Sequence, residues 1–260
     1  MISQTAKSPI VALLIAGGPL GYCVANRLAE RFKKLTVIQE EPERKWDIVR
    51  RRARFLGWGA AIGQAAFGVV YKLGEPKHKL RRQRVLSDAG LLPTLRSDLN
   101  VQHVSSVNGP DCQALLTSLK PDVVAVYGTR IIKPKLMEKV AAPFINYHAG
   151  ITPQYRGQHP AYWALAAADR SRAGVTIHLV DDGVDTGKVL AQRTVRFSEQ
   201  DTIWTYQWVQ LAEALPLLED AIDNWAASRE TVTETNVSSQ LYFPPTIWTY
   251  VRNGLRSGVW

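Results

Sequence analysis

The sequence predicts an α/β fold: a doubly wound, mostly parallel sheet with a helical insertion and a short C-terminal extension. Three observations lead there. Wholly apolar runs such as "IVALLI" and "VVAVY" read as strands buried on both faces. Between them lie segments whose apolar residues recur at helical spacing. The strand–helix–strand order calls for crossover connections, which favour parallel neighbours and helices on both faces of the sheet.

Each element follows in turn. "PIVALLIAGG" is a strand closed by glycines. "PLGYCVANRLAERFKK" is a helix with Cys23, Val24, Leu28 and Phe32 on one stripe and lysines at its end. "LTVIQE" is the second strand. "GPDCQALLTSLKPDVVAVYGT" gives a helix, a proline-marked break and another buried strand. "APFINYH" adds a strand and "AYWALAAAD" a helix. "AGVTIHLVDDGVDTGKVLAQRTV" reads as two strands joined by a turn. One more helix spans about 205–228. An irregular, aromatic tail, "QLYFPPTIWTYVRNGLRSGVW", follows and is expected to pack on a surface, because disordered tails are poor in aromatics. The domains expected are residues 1–205, with the insertion at 42–86, and a C-terminal helix and tail at 206–260.

The insertion breaks the alternation. Basic clusters "RRRAR" and "KHKLRRQR" flank a run from Phe55 to Tyr71 that carries no charge. Three readings stay open: a packed helical insertion, an interfacial or partner-binding helix, and a membrane span. The run falls short of the roughly 20 apolar residues a span needs. Its glycines Gly57, Gly59, Gly63 and Gly68 are expected to permit close helix packing.

The formal charge of +9 favours acidic partners such as phosphates, nucleotides, nucleic acid or an anionic membrane face. Two cysteines, Cys23 and Cys112, have no metal-ligand spacing, so no disulfide framework is expected and a reducing cytoplasm is. No H-x-x-x-H or C-x-x-C pattern supports a metal. "AGGPLGYCVANRL" follows a strand and opens a helix, so its amides suit a phosphate, although Pro19 removes one donor. It does not match G-x-G-x-x-G.

The chemistry concentrates in "NYHAGITPQYRGQHP", residues 146–160. Asn146 and His148 end a strand. Residues two apart on a strand face one side, so both side chains aim at the carboxyl edge of the sheet, where open α/β folds bind ligands. Asp185 lies in the later turn "DDGVDTG". An amide, an imidazole and a carboxylate suit acyl transfer to an amine. The Asn146 amide can donate to a developing oxyanion. His148 can share that role or protonate the leaving nitrogen, and Asp185 can raise the His148 pKa or take a proton from the attacking ammonium, directly or through water. Asn, His and Asp near turns also serve as caps.

"INYHAGITPQYRG" followed by "GVTIHLVDDGVDTGKVL" resembles the N10-formyltetrahydrofolate-dependent formyltransferases. That family includes the methionyl-tRNA, glycinamide ribonucleotide and sugar N-formyltransferases. Its Asn-x-His, Pro-x-aromatic-(Arg/Pro)-Gly and later Asp-x-Gly elements occur here in order, over about residues 100–195. The resemblance implies the Rossmann-like formyltransferase fold and makes Asn146, His148 and Asp185 catalytic. It implies a formyl-donor site on Tyr127, Gly128, Arg130, Ile131 and Ile132, with a second wall from Val180, Asp181, Asp182, Gly183 and Val184. It places Tyr155, Arg156, Gly157 and His159 near the amine. His178 is read as core or as support behind the site. The donor implied is N10-formyltetrahydrofolate, with no metal.

The Tyr155-Arg156-Gly157 turn looks more like the tRNA and sugar enzymes than the purine one. The 55 residues after position 205 are expected to be too few for the OB-like domain of the tRNA enzyme. The expected substrate is therefore a nucleotide-linked amino sugar, formylated for a surface polysaccharide such as a lipopolysaccharide O-antigen. Alternatives are glycinamide ribonucleotide, methionyl-tRNA or a hydroxylated ornithine, or a basic nucleotide- or nucleic-acid-binding module without activity. Nucleic acid is not favoured, membrane association stays open, and a homodimer is compatible with this reading.

Overall fold

In the computed structural model, which describes residues 8–233 and 237–260, the apolar run Ile10–Ile15 forms β1 in the interior of the sheet. Residues 1–7 of the first expected span and 234–236 within the second lie outside the described residues. Helix α1 (Gly18–Arg31) follows the Gly17-Gly18 turn, both glycines at positive φ that a larger residue adopts at a cost. Strand β2 (Lys34–Glu40) pairs parallel to β1. The insertion then builds α2 (Lys45–Leu56), α3 (Trp58–Gly74), a short 3-10 turn and α4 (Lys79–Asp88).

The main rhythm resumes with β3 (Val101–Val104), α5 (Pro110–Leu119), β4 (Val123–Tyr127), the single-turn α6 (Pro134–Met137) and β5 (Phe144–His148). After β5 come β6 (Arg156–Gly157), α7 (Pro160–Ala166), β7 (Gly174–Leu179), β8 (Val189–Thr194), α8 (Tyr206–Ala226), β9 (Leu241–Tyr242) and α9 (Ile247–Ser257). The seven-stranded sheet has the order β3-β2-β1-β4-β5-β7-β8. The strands from β3 to β5 pair in parallel, whereas β7 pairs antiparallel with both β5 and β8.

One face of the sheet packs against α1 and α8 around Leu13, Leu28, Ile177, Leu211 and Leu218. The other packs against α5 and α6 around Leu14, Val124, Leu116 and Leu136. Both faces of the central strands are therefore covered, which explains their unbroken apolar runs.

Two elements differ from the sequence expectation. Edge strand β3 is short and half polar, so it carries no apolar run to announce it. The tail is not irregular: α9 is a regular helix whose Thr246 side chain accepts from the Thr249 N–H. The expectation of a packed helical insertion matches the placement of α2–α4. The Trp204 indole donates to the Tyr71 carbonyl at 2.6 Å, and Arg81 pairs with Asp201 at 2.9 Å. The glycine expectation needs correction. Only Gly63 of the four meets a close neighbour, the Trp248 ring and Thr246 of α9, while Gly57, Gly59 and Gly68 face open space. Gly74, not singled out from the sequence, lies against Trp204.

Candidate active site

Strand β5 ends at the carboxyl edge of the sheet beside β4, so the loops after β4, β5 and β7 surround one cleft of about 600 Å³. Asn146 and His148, two apart on β5, both line it, and Asp185 enters from the β7–β8 loop. Asp185 holds a left-handed backbone, φ 52°, which aspartate tolerates better than most residues.

The Asp185 carboxylate sits between two imidazoles. One oxygen lies 3.3 Å from His148 Nδ1, and the other 3.6 Å from His178 Nε2. The first oxygen also accepts the Gly157 N–H at 2.9 Å. Burial opposes ionisation here, but the positive charge that His148 or His178 carries when protonated, together with the Gly157 N–H, outweighs it and holds the carboxyl well below the usual range.

Hydrogen-bond partners assign the protons on both rings. His148 Nε2–H donates to the Tyr155 carbonyl at 2.9 Å, leaving Nδ1 to face the carboxylate. Burial pulls the His148 pKa down, against the opposing pull of Asp185. Nδ1 is thus a proton-accepting position whose charged form has a carboxylate waiting. His178 Nδ1–H donates to the Leu179 carbonyl at 2.7 Å, so Nε2 accepts from the Asn146 amide at 3.0 Å. That fixes the Asn146 side chain with one N–H used and one left over.

His178 therefore belongs to the site rather than to the core. Its signal was register: it pairs directly opposite Asn146 across the antiparallel β5–β7 ladder, which sequence spacing alone does not reveal. Arg52 and Gln207 also line the cleft and were not singled out. Arg52 comes from α2 and donates to the Gln158 side chain at 3.0 Å. It has no carboxylate partner among the described residues, and burial, with Arg51 nearby, lowers its pKa. The Gly17–Gly21 turn contributes Gly17, Leu20 and Gly21 to the wall.

Most of the expected donor-site residues line the cleft: Tyr127, Gly128, Arg130, Ile131 and Ile132 on one wall, and Val180, Asp181, Gly183 and Val184 on the other. Three side chains have other tasks than those expected. Arg130 folds back onto Glu40 at 2.6 Å and onto the Glu41 carbonyl, tying the β4 loop to β2. Asp181 accepts from Thr186 and Gly183 within its own loop. Asp182 is exposed and does not line the cleft.

The residues expected near the amine divide likewise. Gly157 and His159 line the cleft, whereas Tyr155 and Arg156 do not. The Tyr155 hydroxyl donates to Asp169 at 3.0 Å and its ring stacks on Tyr242, so only its carbonyl reaches the site. Arg156 donates to the Val184 carbonyl at 2.8 Å and steadies the loop that carries Asp185. His159 lies against Phe67 and Tyr71 of α3, and burial pulls its pKa down to about 4. No group of three or more potential metal-ligating side chains occurs among the described residues.

A family model described as formyl transferase matches residues 74–214, more than half of the chain. The methionyl-tRNA formyltransferase of Anaeromyxobacter dehalogenans (strain 2CP-C) is 34% identical over 185 residues, covering 65% of this chain and 59% of that protein. The chain thus spans less than two thirds of the length of that curated relative. Among solved structures, glycinamide ribonucleotide transformylase 1 from Symbiobacterium toebii superposes with a TM-score of 0.57 at 18% identity, over 87% of this chain and 94% of that one. A sugar N-formyltransferase from Shewanella sp. FDAARGOS_354 superposes with a TM-score of 0.54 at 18% identity, over 89% and 75%. At those identities the two structures share the fold. With a matched family model spanning more than half its length, the chain belongs to the formyl transferase family.

Proposed function

We propose that this protein transfers a formyl group from N10-formyltetrahydrofolate to a primary amine on an anionic small molecule, with a nucleotide-linked amino sugar as the favoured substrate. The observation that carries the reading is the cluster at the head of the cleft, in which Asn146, His148 and Asp185 converge with His178 in support. The spare Asn146 N–H suits the formyl oxygen as it gains charge when the amine attacks. Asp185, kept ionised, and His148 Nδ1 suit the proton that the attacking nitrogen must lose. The nitrogen that leaves the formyl carbon needs a proton in return, and the same pair can supply it. The amine is itself the nucleophile, so no serine or cysteine is required.

The residues fit the proposed donor. Val126, Ile132 and Val180 offer apolar walls, and Gly128 faces open space at φ 66°, leaving room for a flat ring against backbone. Arg52 favours an anionic amine, because a half-buried guanidinium without a carboxylate partner suits a phosphate or carboxylate. That step supports the sugar nucleotide over a neutral amine. A second reading, methionyl-tRNA, is favoured by the name of the 34%-identical relative and by the net charge of +9.

The test is amine-dependent release of tetrahydrofolate from the formylated donor across a panel of amino-sugar nucleotides, with the product read by mass. Gain of one formyl group on an amino-sugar nucleotide supports the reading. Turnover with methionyl-tRNA alone favours the second reading. If no amine supports turnover while nucleic acid binds with a steep salt dependence, formyl transfer is wrong for this chain.

A further inference from the structure

Helix α3 carries apolar residues on both of its sides, yet only one side is covered. Ala61, Gly63, Gln64 and Phe67 are buried against the body of the protein. On the opposite side Trp58, Ile62, Val69 and Leu73 are 59%, 60%, 60% and 72% exposed. Their spacing of four, seven and four residues returns each to the same face of a 3.6-residue helix, so they form one stripe about 22 Å long. Phe55, at the end of α2, adds a further exposed apolar side chain at 80% exposure. A large aromatic and aliphatic surface of this kind marks an interaction site in a folded protein.

Charge selects the partner. Arg50 and Arg54 precede the stripe, and Lys72 and Lys79 lie at its far end. All four are exposed, and none forms an ion pair among the described residues. The insertion's Glu43 and Glu75 are already engaged by Arg51 and Arg82. A second copy of the chain would bring two basic clusters together, whereas an anionic lipid surface neutralises them. Exposed tryptophans suit the boundary between headgroup and acyl chain. The helix lies on the membrane rather than through it: α3 has 17 residues, fewer than the roughly 20 a span requires, and among the described residues no helix is long and apolar enough to cross a bilayer.

We infer that the α2–α3 hairpin is a docking surface for an anionic lipid bilayer, with the outer stripe of α3 entering the headgroup boundary and the flanking basic residues meeting lipid phosphates. The hairpin that contacts lipid also supplies Arg52 to the cleft, so membrane docking and the candidate site share one element.

The experiment is sedimentation of the full chain with vesicles of phosphatidylcholine alone or mixed with phosphatidylglycerol. Binding is expected only to the phosphatidylglycerol-containing vesicles. Neutralising each of Arg50 and Arg54 to Gln should weaken it about fivefold per arginine. Ile62→Ser with Val69→Ser should weaken it at least about tenfold, since each side chain loses its apolar burial. All substituted positions are exposed, and unchanged thermal melts check that the fold is intact. Absence of binding to either vesicle overturns the proposal. So does binding that ignores the Ile62 and Val69 substitutions, or a concentration-dependent dimer in light scattering that the same substitutions abolish.

Discussion

At the residue scale the site is a set of side chains whose protons are constrained by their neighbours. His148→Ala and Asp185→Ala are each expected to lower kcat by about 10²–10⁴ with folding retained, measured by tetrahydrofolate release and a thermal melt. Retention of most activity in either variant would remove both from the chemistry. His159 provides a separate test through stability. Its pKa falls from 6.5 in the unfolded chain to about 4 in the fold, so the unfolded state binds the proton first as pH drops. This contribution is fully present above pH 6.5 and is lost as pH falls towards 4, by at most about 3 kcal/mol. Urea unfolding across that window should show the loss. It should shrink in His159→Asn, which tolerates the left-handed backbone at φ 53° and cannot titrate. Asn146 and His148 were legible from spacing because they share one strand edge, whereas Asp185 was placed with them by the family resemblance. Tyr155 and Arg156 were misread because motif position does not say which way a side chain turns, and both turn away from the cleft.

At the scale of elements, glycines in α3 separate packing from propensity. A β-carbon at Gly63 overlaps Trp248 and Thr246, whereas one at Gly68 meets nothing. Gly63→Ala should therefore destabilise by about 1–3 kcal/mol, as overpacking does. Gly68→Ala should stabilise by up to about 1 kcal/mol through helix propensity. Chemical denaturation of the two variants checks the contrast; equal effects would mean that α3 does not seat on α9 through Gly63. The core strands were legible because burial on both faces leaves a continuous apolar run. Strand β3 was not, because an edge strand needs only one covered side and its four residues include Gln102 and His103. Helix α9 was hidden by Pro244 and Pro245, although Thr246 before it and Gly258 after it were both cap signals.

At the scale of the whole molecule, the insertion is locked to the sheet domain by contacts far apart in sequence. Asp201, whose side chain is fully buried, accepts from Arg81 of α4 and from Ser198 and Thr205. Asp201→Ala removes the acceptor of Arg81 and Ser198 and should cost about 3 kcal/mol or more, with faster proteolysis within residues 42–88 as its local signature. Preferential cleavage elsewhere would show that α4 is held by other contacts. The parallel α/β core, the helical character of the insertion and the placement of Asn146 and His148 on one strand edge were readable along the chain. These rest on periodicity and on residues close along the chain, which local physics reads directly, whereas Asp185, distant in sequence, was joined to them by the family resemblance. Folding is what brings Arg52 to the cleft beside Gln158, 106 positions away, sets Glu40 on Arg130 across 90, and lets His178 hold Asn146 across 32. A charged or polar side chain has several partners of equal chemistry along the chain, and only the packing of the fold selects which one lies within hydrogen-bond reach.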